Sequence, residues 1–232
     1  MNGLPWIGLP IAAVLDRLQR TLADNACAVL QAPPGAGKTT CIPLFLQKTP
    51  WLAGRKIIML APRRLAARAA ALRMSDLIGE KVGQTVGYRV RLDSRVSPAT
   101  RIEVVTEGVL TRRLQNDPSL AGVGLVIFDE FHERSLDADL GLALCLDMQG
   151  VLNPDLRLRI MSATIDAGPI AALLGNAPVL TSKGREFPVE TRYVGRHTPT
   201  ASIDMLSDVV LSAARSESGS ILVFLPGASE IR

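Results

Sequence analysis

The 232-residue sequence predicts an α/β fold in which helices cover both faces of a mostly parallel sheet. Five apolar runs of about five residues are continuous rather than alternating, which is typical of strands buried on both faces. They span residues 28–32, 57–61, 102–106, 125–129 and 158–161. An aromatic content of only 4% leaves Leu, Val, Ile and Ala to fill the core, which favours this fold over an aromatic-rich β-sandwich.

Segments with helical spacing separate these runs, as expected of a doubly wound sheet. They span residues 11–22, 39–47, 64–77, 108–114, 138–148 and 170–174. In such sheets, ligands bind beyond the carboxyl ends of the strands, where the chain leaves for the next helix. The loops after the strands are therefore where functional side chains are expected.

The pattern changes after residue 175. Residues 185–193 are polar and contain Pro188, which indicates an exit strand or a linker, and residues 198–201 are a predicted linker. Helical spacing returns at 203–214, and residues 220–225 are predicted to form a new buried strand.

One helix and one strand cannot bury a core of their own. We therefore expect two parts, a first domain over residues 1–195 and the truncated start of a second α/β domain, with its linker, over residues 196–232. On this interpretation the chain is a fragment of a longer protein.

The charge balance is a mild indication of an anionic partner. The chain has 26 Lys and Arg against 22 Asp and Glu, a net charge of +4. Most of the basic residues are arginine, whose planar fork binds phosphate bidentately, although a codon preference for arginine would explain the bias equally well.

The cysteines exclude a readable disulfide framework or zinc site, because Cys27, Cys41 and Cys145 are scattered and odd in number. No apolar run approaches the length of a membrane helix, and the first fifteen residues lack the basic start of a signal peptide. These features predict a cytoplasmic protein.

The first predicted strand runs into a glycine-rich phosphate-binding loop. The loop and the helix start read Pro33, Pro34, Gly35, Ala36, Gly37, Lys38, Thr39 and Thr40. Gly35 and Gly37 allow the backbone to wrap around phosphates, Lys38 is expected to reach the β and γ phosphates, and Thr39 to ligate Mg²⁺. The alternative is a chance glycine-rich turn, and the general pattern has Gly where this chain has Ala32.

The fourth predicted strand ends in the acidic sequence Asp129-Glu130-Phe131-His132. We expect Asp129 to hold Mg²⁺ through water and Glu130 to orient or activate the attacking water. The alternative is an acidic turn that caps the next helix, and His132 by itself would more often be an ordinary surface histidine.

Three other strand ends carry candidate residues. Arg63 and Arg64 follow the second strand, and Thr106, Glu107 and Gly108 follow the third, which together predicts a track for nucleic-acid phosphates. A solvated pair is the alternative for Arg63 and Arg64, and Arg112 and Arg113 either extend this track or face solvent.

After the fifth strand, Ser162 and Thr164 point to the same side of an extended chain. They are candidates for hydrogen bonds to the turn at Asp129–His132, or for helix N-caps.

Taken in order, these elements resemble superfamily 2 helicases of the DEAH-box/RHA class. Residues 129–132 stand where that family has D-E-x-H, and the runs APPGAGKTT, APRRLAARAAA, DEFHERSLDADL and GREFPVE are similar to its bacterial HrpB-type branch. Ala32 and Phe131, which differ from the more general motifs, match what the resemblance to that branch implies. Residues 224–227 and 230–231 resemble motif IV of the family's second domain.

The resemblance implies a RecA-like P-loop NTPase domain that uses ATP and Mg²⁺. It also implies that His132, Ser162 and Thr164 couple the nucleotide site to the other domain, and that Arg73 stacks on adenine. The implied partners are single-stranded RNA or DNA and the C-terminal helicase domains. The family's arginine fingers lie in its second domain, so we expect this chain alone to hydrolyse ATP very poorly.

Three functions remain open from the sequence. The first is an ATP-dependent nucleic-acid helicase or translocase, with RNA the expected substrate. The second is a nucleotide-gated nucleic-acid-binding module that does not unwind, against which Glu130 argues because a pure binder needs no catalytic carboxylate. The third, a P-loop ATPase acting on protein, is disfavoured by the basic track.

Overall fold

The computed structural model describes residues 6–163, 167–184, 188–193, 203–225 and 227–231. Its contacts divide the chain into two compact units, Met1–Arg185 and Glu186–Arg232, and each unit is described by itself. The domain boundary at residue 195 stays a prediction.

The first unit contains an eight-stranded sheet in the order β4-β3-β5-β2-β6-β7-β1-β8. All neighbours are parallel except the β3–β4 hairpin. The strands are β1 Cys27–Gln31, β2 Lys56–Ala61, β3 Val86–Val90, β4 Asp93–Arg95, β5 Ile102–Thr106, β6 Val123–Phe128, β7 Arg157–Ser162 and β8 Val179–Thr181. This confirms the predicted α/β fold with a mostly parallel sheet.

Six helices of the first unit are described. They are α1 Ala12–Asp24, α2 Lys38–Leu46, α3 Arg64–Ile78, α4 Glu107–Asn116, α5 Leu136–Val151 and α6 Ala167–Leu173, with short 3₁₀ turns at Pro50–Leu52 and Phe131–Glu133. The second unit contributes α7 Ile203–Ser216 and α8 Ala228–Ile231. In the part of the chain that is described, no helix combines the length and the apolarity needed to cross a bilayer.

The sheet is buried on both faces, which explains its continuous apolar strands. Successive residues of one strand enter different cores, since Ile57 and Met59 pack with α1, α2 and α3, whereas Ile58 and Leu60 pack with α4, α5 and α6. Because the strands are parallel, their carboxyl ends meet at one edge, where the loops after β1, β2 and β6 and the junction of β5 with α4 come together.

Three strands were not expected from the sequence. β3 contains Gly87 and Arg89, β4 is a polar edge strand, and β8 has only three residues, so none of them carries a long apolar run. Gly87 serves a close approach, because a Cβ there would lie 2.4 Å from the backbone oxygen of Arg95.

In the second unit, the predicted helix at 203–214 is confirmed as α7, but the predicted buried strand at 220–225 is wrong. Those residues form no strand, and Leu222 and Phe224 are 78% and 85% exposed. Within the described residues of this unit there is no strand for the segment to pair with, and an unpaired strand is not stable. Residues 188–193 also form no strand, and residues 185–187 and 198–201 lie outside the described ranges.

Candidate nucleotide site and nucleic-acid face

The loop between β1 and α2 has the backbone conformation that its glycines allow. Gly35 and Gly37 have φ values of 74° and 92°, in the left-handed region that residues with a Cβ rarely adopt. A Cβ on Gly37 would also lie 2.8 Å from the Leu9 side chain. Both glycines are therefore required by geometry, and the loop forms a concavity suited to an anion at the start of α2.

Segments from distant parts of the chain support this loop. The Ile11 backbone N–H donates to the Ala36 carbonyl at 3.1 Å, and the Ala32 N–H donates to the Ser162 carbonyl at 3.0 Å. Pro33 lies directly against Gly184, where a Cβ would meet the proline ring at 2.1 Å. Pro34 is exposed and Ala36 is buried, so the loop packs against the protein on one side and is open to solvent on the other.

Lys38 and Thr39 meet the two carboxylates that follow β6. The Lys38 side chain is 4% exposed, and its ammonium forms an ion pair with Glu130 Oε1 at 2.9 Å. The Thr39 hydroxyl donates to Asp129 Oδ2 at 2.6 Å, a contact between residues 90 positions apart. The four side chains on which the nucleotide hypothesis depends thus converge at one place.

Asp129 is a buried carboxylate with both oxygens engaged. Its Oδ2 accepts from Thr39, and its Oδ1 accepts from the Glu130 N–H at 2.9 Å. Burial raises the pKa of Asp129 to about 6, against the opposing effect of the Thr39 hydrogen bond. A carboxylate and a hydroxyl held together in this way are the hard oxygen donors that Mg²⁺ prefers, so these two residues fit that ion.

Glu130 has an unusual backbone, with φ of 50° immediately before the 3₁₀ turn Phe131–Glu133. A left-handed conformation in a residue with a side chain costs energy and is concentrated at functional sites. It lets the carboxylate face Lys38 with one oxygen while the other, Oε2, lies 3.3 Å from His132 Nδ1. That last contact lacks hydrogen-bond geometry, and Nδ1 is buried with no other partner in the described residues.

Aromatic packing anchors this turn. Phe131 is buried edge-to-face against Phe128 at 6.0 Å, and the Arg134 guanidinium lies 5.6 Å from the Phe131 ring centre. Arg134 also forms an ion pair with Asp139 at 2.7 Å on α5. These contacts therefore hold the turn that follows Asp129 and Glu130 in place.

Two of the predicted nucleic-acid residues, Arg63 and Glu107, are bonded to the segment at residues 133–135. Arg63 Nη2 forms an exposed ion pair with Glu133 Oε2 at 3.0 Å. The Ser135 hydroxyl donates to Glu107 Oε2 at 2.7 Å while it accepts from the Ala138 N–H as the N-cap of α5. The loop after β2 and the start of α4 after β5 are thus each bonded to the loop after β6.

Glu133 and Ser135 were missed by sequence reasoning, and only their proximity to D-E-x-H could have suggested them. For the other expected residues of this face, no hydrogen bond or ion pair to the loop after β6 is described. Arg64 and Gly108 are exposed, and Thr106 is half-buried at the end of β5.

The remaining predicted residues lie around the nucleotide loop. Arg73 is exposed on α3 and its charge reaches the Cys41 thiol on α2, whose pKa is raised by burial and lowered by the neighbouring Thr40 hydroxyl and by Arg73. No hydrogen bond or ion pair is described between Arg73 and Lys38 or Thr39. Ser162 is buried beside Ala32, and Thr164 lies outside the described residues.

Comparisons with known proteins agree with this geometry. A family model described as "DEAD/DEAH box helicase" matches residues 15–172. The chain is 54% identical over 224 residues to the ATP-dependent RNA helicase HrpB of Escherichia coli strain K12, and 36% identical over 251 residues to the ATP-dependent RNA helicase DHX30 of Gallus gallus.

Solved structures give the same result. The crystal structure of the Escherichia coli DEAH/RHA helicase HrpB superimposes with a TM-score of 0.88 at 53% identity, covering 97% of this chain. Each of the two sequence alignments also covers 97% of this chain. The chain spans 28% of the length of HrpB and 20% of the length of DHX30.

Proposed function

The chain belongs to the DEAD/DEAH box helicase family, and we propose from this that it is the first, nucleotide-binding RecA-like domain of an ATP-dependent RNA helicase. The match to the family model confirms the family resemblance predicted from the sequence. The observation that supports the function is the convergence of Lys38 and Thr39 with Asp129 and Glu130. The RNA substrate rests on the relatives HrpB and DHX30, which are ATP-dependent RNA helicases.

Lys38 is the residue that we propose changes partner during the reaction. It is held by Glu130, and the triphosphate of ATP carries more charge than one carboxylate, so Lys38 would move to the β and γ phosphates. Glu130 is then free to orient a water molecule for in-line attack on the γ-phosphate.

Thr39 and Asp129, the latter through water, are the residues that would hold Mg²⁺. When bound, the ion would offset the negative charge that develops on the phosphates. The hydrogen bond between Thr39 and Asp129 already places the two oxygen donors together. Arg73 would lie against the adenine, and the loop from Pro34 to Thr40 would enclose the phosphates.

The nucleic acid would lie across the loop after β2 and the junction of β5 with α4, on Arg63, Arg64, Thr106, Glu107 and Gly108. Contacts directed at the backbone imply loose sequence specificity and strong salt dependence. His132, Ser162 and Thr164 are proposed to couple this face to the nucleotide. The C-terminal domains present in the longer relatives are the proposed partner for closure, and the cytoplasmic location stays a prediction.

Two substitutions test the proposal through equilibrium binding of a fluorescent ATP analogue with Mg²⁺. Lys38→Ala should abolish nucleotide binding, because the phosphates lose their main cation. Glu130→Gln should retain binding, because it leaves the loop and Lys38 in place. Arg17→Ala, an exposed arginine on α1, is the control for loss of one positive charge.

Unchanged affinity in Lys38→Ala would refute the nucleotide site. In the full-length protein, Glu130→Gln should also stop hydrolysis. Equal turnover in wild type and Glu130→Gln would instead favour the nucleotide-gated binding module.

A further inference from the structure

A basic groove of 360 Å³ lies on the sheet face that α4 covers, away from the nucleotide loop. Its charged lining consists of four cations and two carboxylates, namely Lys56, Arg89, Arg112, Arg113, Glu103 and Asp117. None of these residues takes part in the nucleotide site. The groove therefore requires its own explanation.

Glu103 organises two of the cations. Its side chain is 3% exposed, its Oε1 accepts from Arg89 Nε at 2.9 Å, and its Oε2 accepts from Arg113 Nη1 at 3.2 Å. One buried carboxylate thus fixes two guanidinium groups side by side. Each guanidinium keeps further N–H donors, and the two side chains are 47% and 26% exposed, so a preorganised pair of arginine forks faces the groove.

The other charged residues that line the groove, Lys56, Arg112 and Asp117, carry a net positive charge. Asp117 is occupied by the turn after α4, since its two oxygens accept from the Ser119 hydroxyl and the Ala121 N–H. Lys56 and Arg112 have no ion pair among the described residues, and Arg112 is exposed. An anchor for α4 would need only Glu103 and its two arginines. The two additional cations indicate a ligand that is itself anionic.

The groove begins next to the predicted nucleic-acid residues Thr106, Glu107 and Gly108. Val109, which follows Gly108, also lines it, and Asn116 lines its far end. With a rise of about 1.5 Å per helical residue, these positions lie roughly 2 Å and 12 Å along α4 from Gly108. The groove thus extends from the β5–α4 junction at residues 106–108 along the flank of α4.

We propose that this groove binds the phosphodiester backbone of the nucleic-acid strand beyond the β5–α4 junction at residues 106–108. The inference rests on the proposed function, because it extends the same strand. Recognition is through charge, so it is independent of sequence and does not distinguish the two sugar types. Arg112 and Arg113 belong to the track on this proposal, Arg112 as a direct contact and Arg113 as half of the fixed pair.

The salt dependence of binding tests the groove. Affinities are measured by fluorescence anisotropy for single-stranded oligonucleotides of about 4 and about 16 nucleotides, the range of site sizes known for single-strand-binding folds. Each phosphate contact contributes about 0.7 to the slope of log affinity against log salt for single strands. The double variant Lys56→Ala/Arg112→Ala should lower that slope by about 1.4 for the long oligonucleotide and leave the short one unchanged.

Arg17→Ala, on the helix that covers the opposite face, is the matched control and should change neither slope. Arg112→Ala alone, with about half the effect, keeps the test valid if replacement of Lys56 disturbs β2. An unchanged slope in the double variant would overturn the groove. An equal change in Arg17→Ala would do the same, since it would show a general charge effect.

Failure of the proposed function has a different signature. If the wild-type chain binds neither oligonucleotide, or if Arg63→Ala leaves affinity for the short oligonucleotide unchanged, the track itself is wrong and the groove falls with it. If Arg63→Ala weakens binding of both oligonucleotides and the groove variants weaken neither, only the groove is wrong.

Discussion

Asp129 and Glu130 are adjacent carboxylates in different environments. Asp129 is buried and bonded through both oxygens, whereas Glu130 is partly exposed between a lysine and a histidine. Their order after an apolar strand predicted the site, and so did the loop with Lys38 and Thr39. The left-handed backbone of Glu130 was not predictable, because no glycine or asparagine at this position signals it in the sequence.

The raised pKa of Asp129 has a consequence for stability against pH. A folded pKa of about 6 against an ordinary value of 3.8 means that the folded state binds the proton more tightly, so this contribution is complete below pH 4 and is lost as pH rises through 6. Its size is up to about 3 kcal/mol. Asp129→Asn should remove it, so the free energy of unfolding should fall less between pH 4 and 7 in the variant than in wild type.

Denaturant unfolding at several pH values in this range measures the difference. Asp139→Asn, at the exposed ion pair with Arg134, is the control and should follow the wild-type profile. Parallel profiles for Asp129→Asn and wild type would contradict the assigned cause.

Arg159 is a residue that no sequence pattern singled out. It lies at the centre of β7 with no exposed surface, and its three guanidinium nitrogens have no partner in the described residues. Burial lowers its pKa to about 9. On the same face, two positions earlier, Arg157 is satisfied by the Leu22 carbonyl at 3.0 Å.

Replacement of Arg159 should therefore stabilise the fold. Arg159→Leu removes an unpaired buried cation from an apolar layer, and the expected gain in the free energy of unfolding is roughly 1–4 kcal/mol. Arg157→Leu is the contrasting variant and should lose stability, since it breaks a hydrogen bond. Urea denaturation compares the two, and a destabilised Arg159→Leu would show that the guanidinium has a favourable role in the folded protein.

At the scale of elements, the structure is built from loops at one sheet edge that bond to one another. The strands and helices that form this edge were predictable, because the strands are continuous apolar runs and the segments between them show helical spacing. The bonds between the loops were not, because Arg63–Glu133 and Ser135–Glu107 join residues whose partners are set by strand order rather than by sequence distance.

On the proposed function, Glu133 would compete with nucleic acid for the Arg63 guanidinium. Glu133→Gln should therefore raise affinity for single-stranded RNA, by up to about fivefold because exposed pairs contribute no more than about 1 kcal/mol. Asp139→Asn removes a charge from the same region without touching Arg63. Anisotropy titrations compare the two variants, and an equal gain in both would mean that local charge, not release of Arg63, is responsible.

At the scale of the whole molecule, the chain consists of two units, of which the first contains the sheet and both candidate sites. The α/β class was predictable from apolar runs alone. The predicted strand at 220–225 was wrong because a pattern of apolar residues specifies a strand only where neighbours exist to pair with it.

The expected activity of the isolated chain follows from which domain of the family carries each catalytic group. Arginine fingers accelerate phosphoryl transfer by about 10³–10⁵, and the resemblance places them in the second domain of helicases that are several times longer than this chain. The 232-residue chain should bind Mg-ATP but release phosphate slowly, with or without RNA. Strong RNA-stimulated phosphate release by the purified chain would contradict this expectation.

The contact between Gly184 and Pro33 has a mechanical consequence. Gly184 lies just after β8, next to the point where the first unit ends, and no larger residue fits against the proline ring. A side chain at position 184 would therefore push Pro33, and with it the start of the phosphate loop, out of place. Glycine at the exit from the first unit thus preserves the conformation of a loop about 150 residues earlier in the chain.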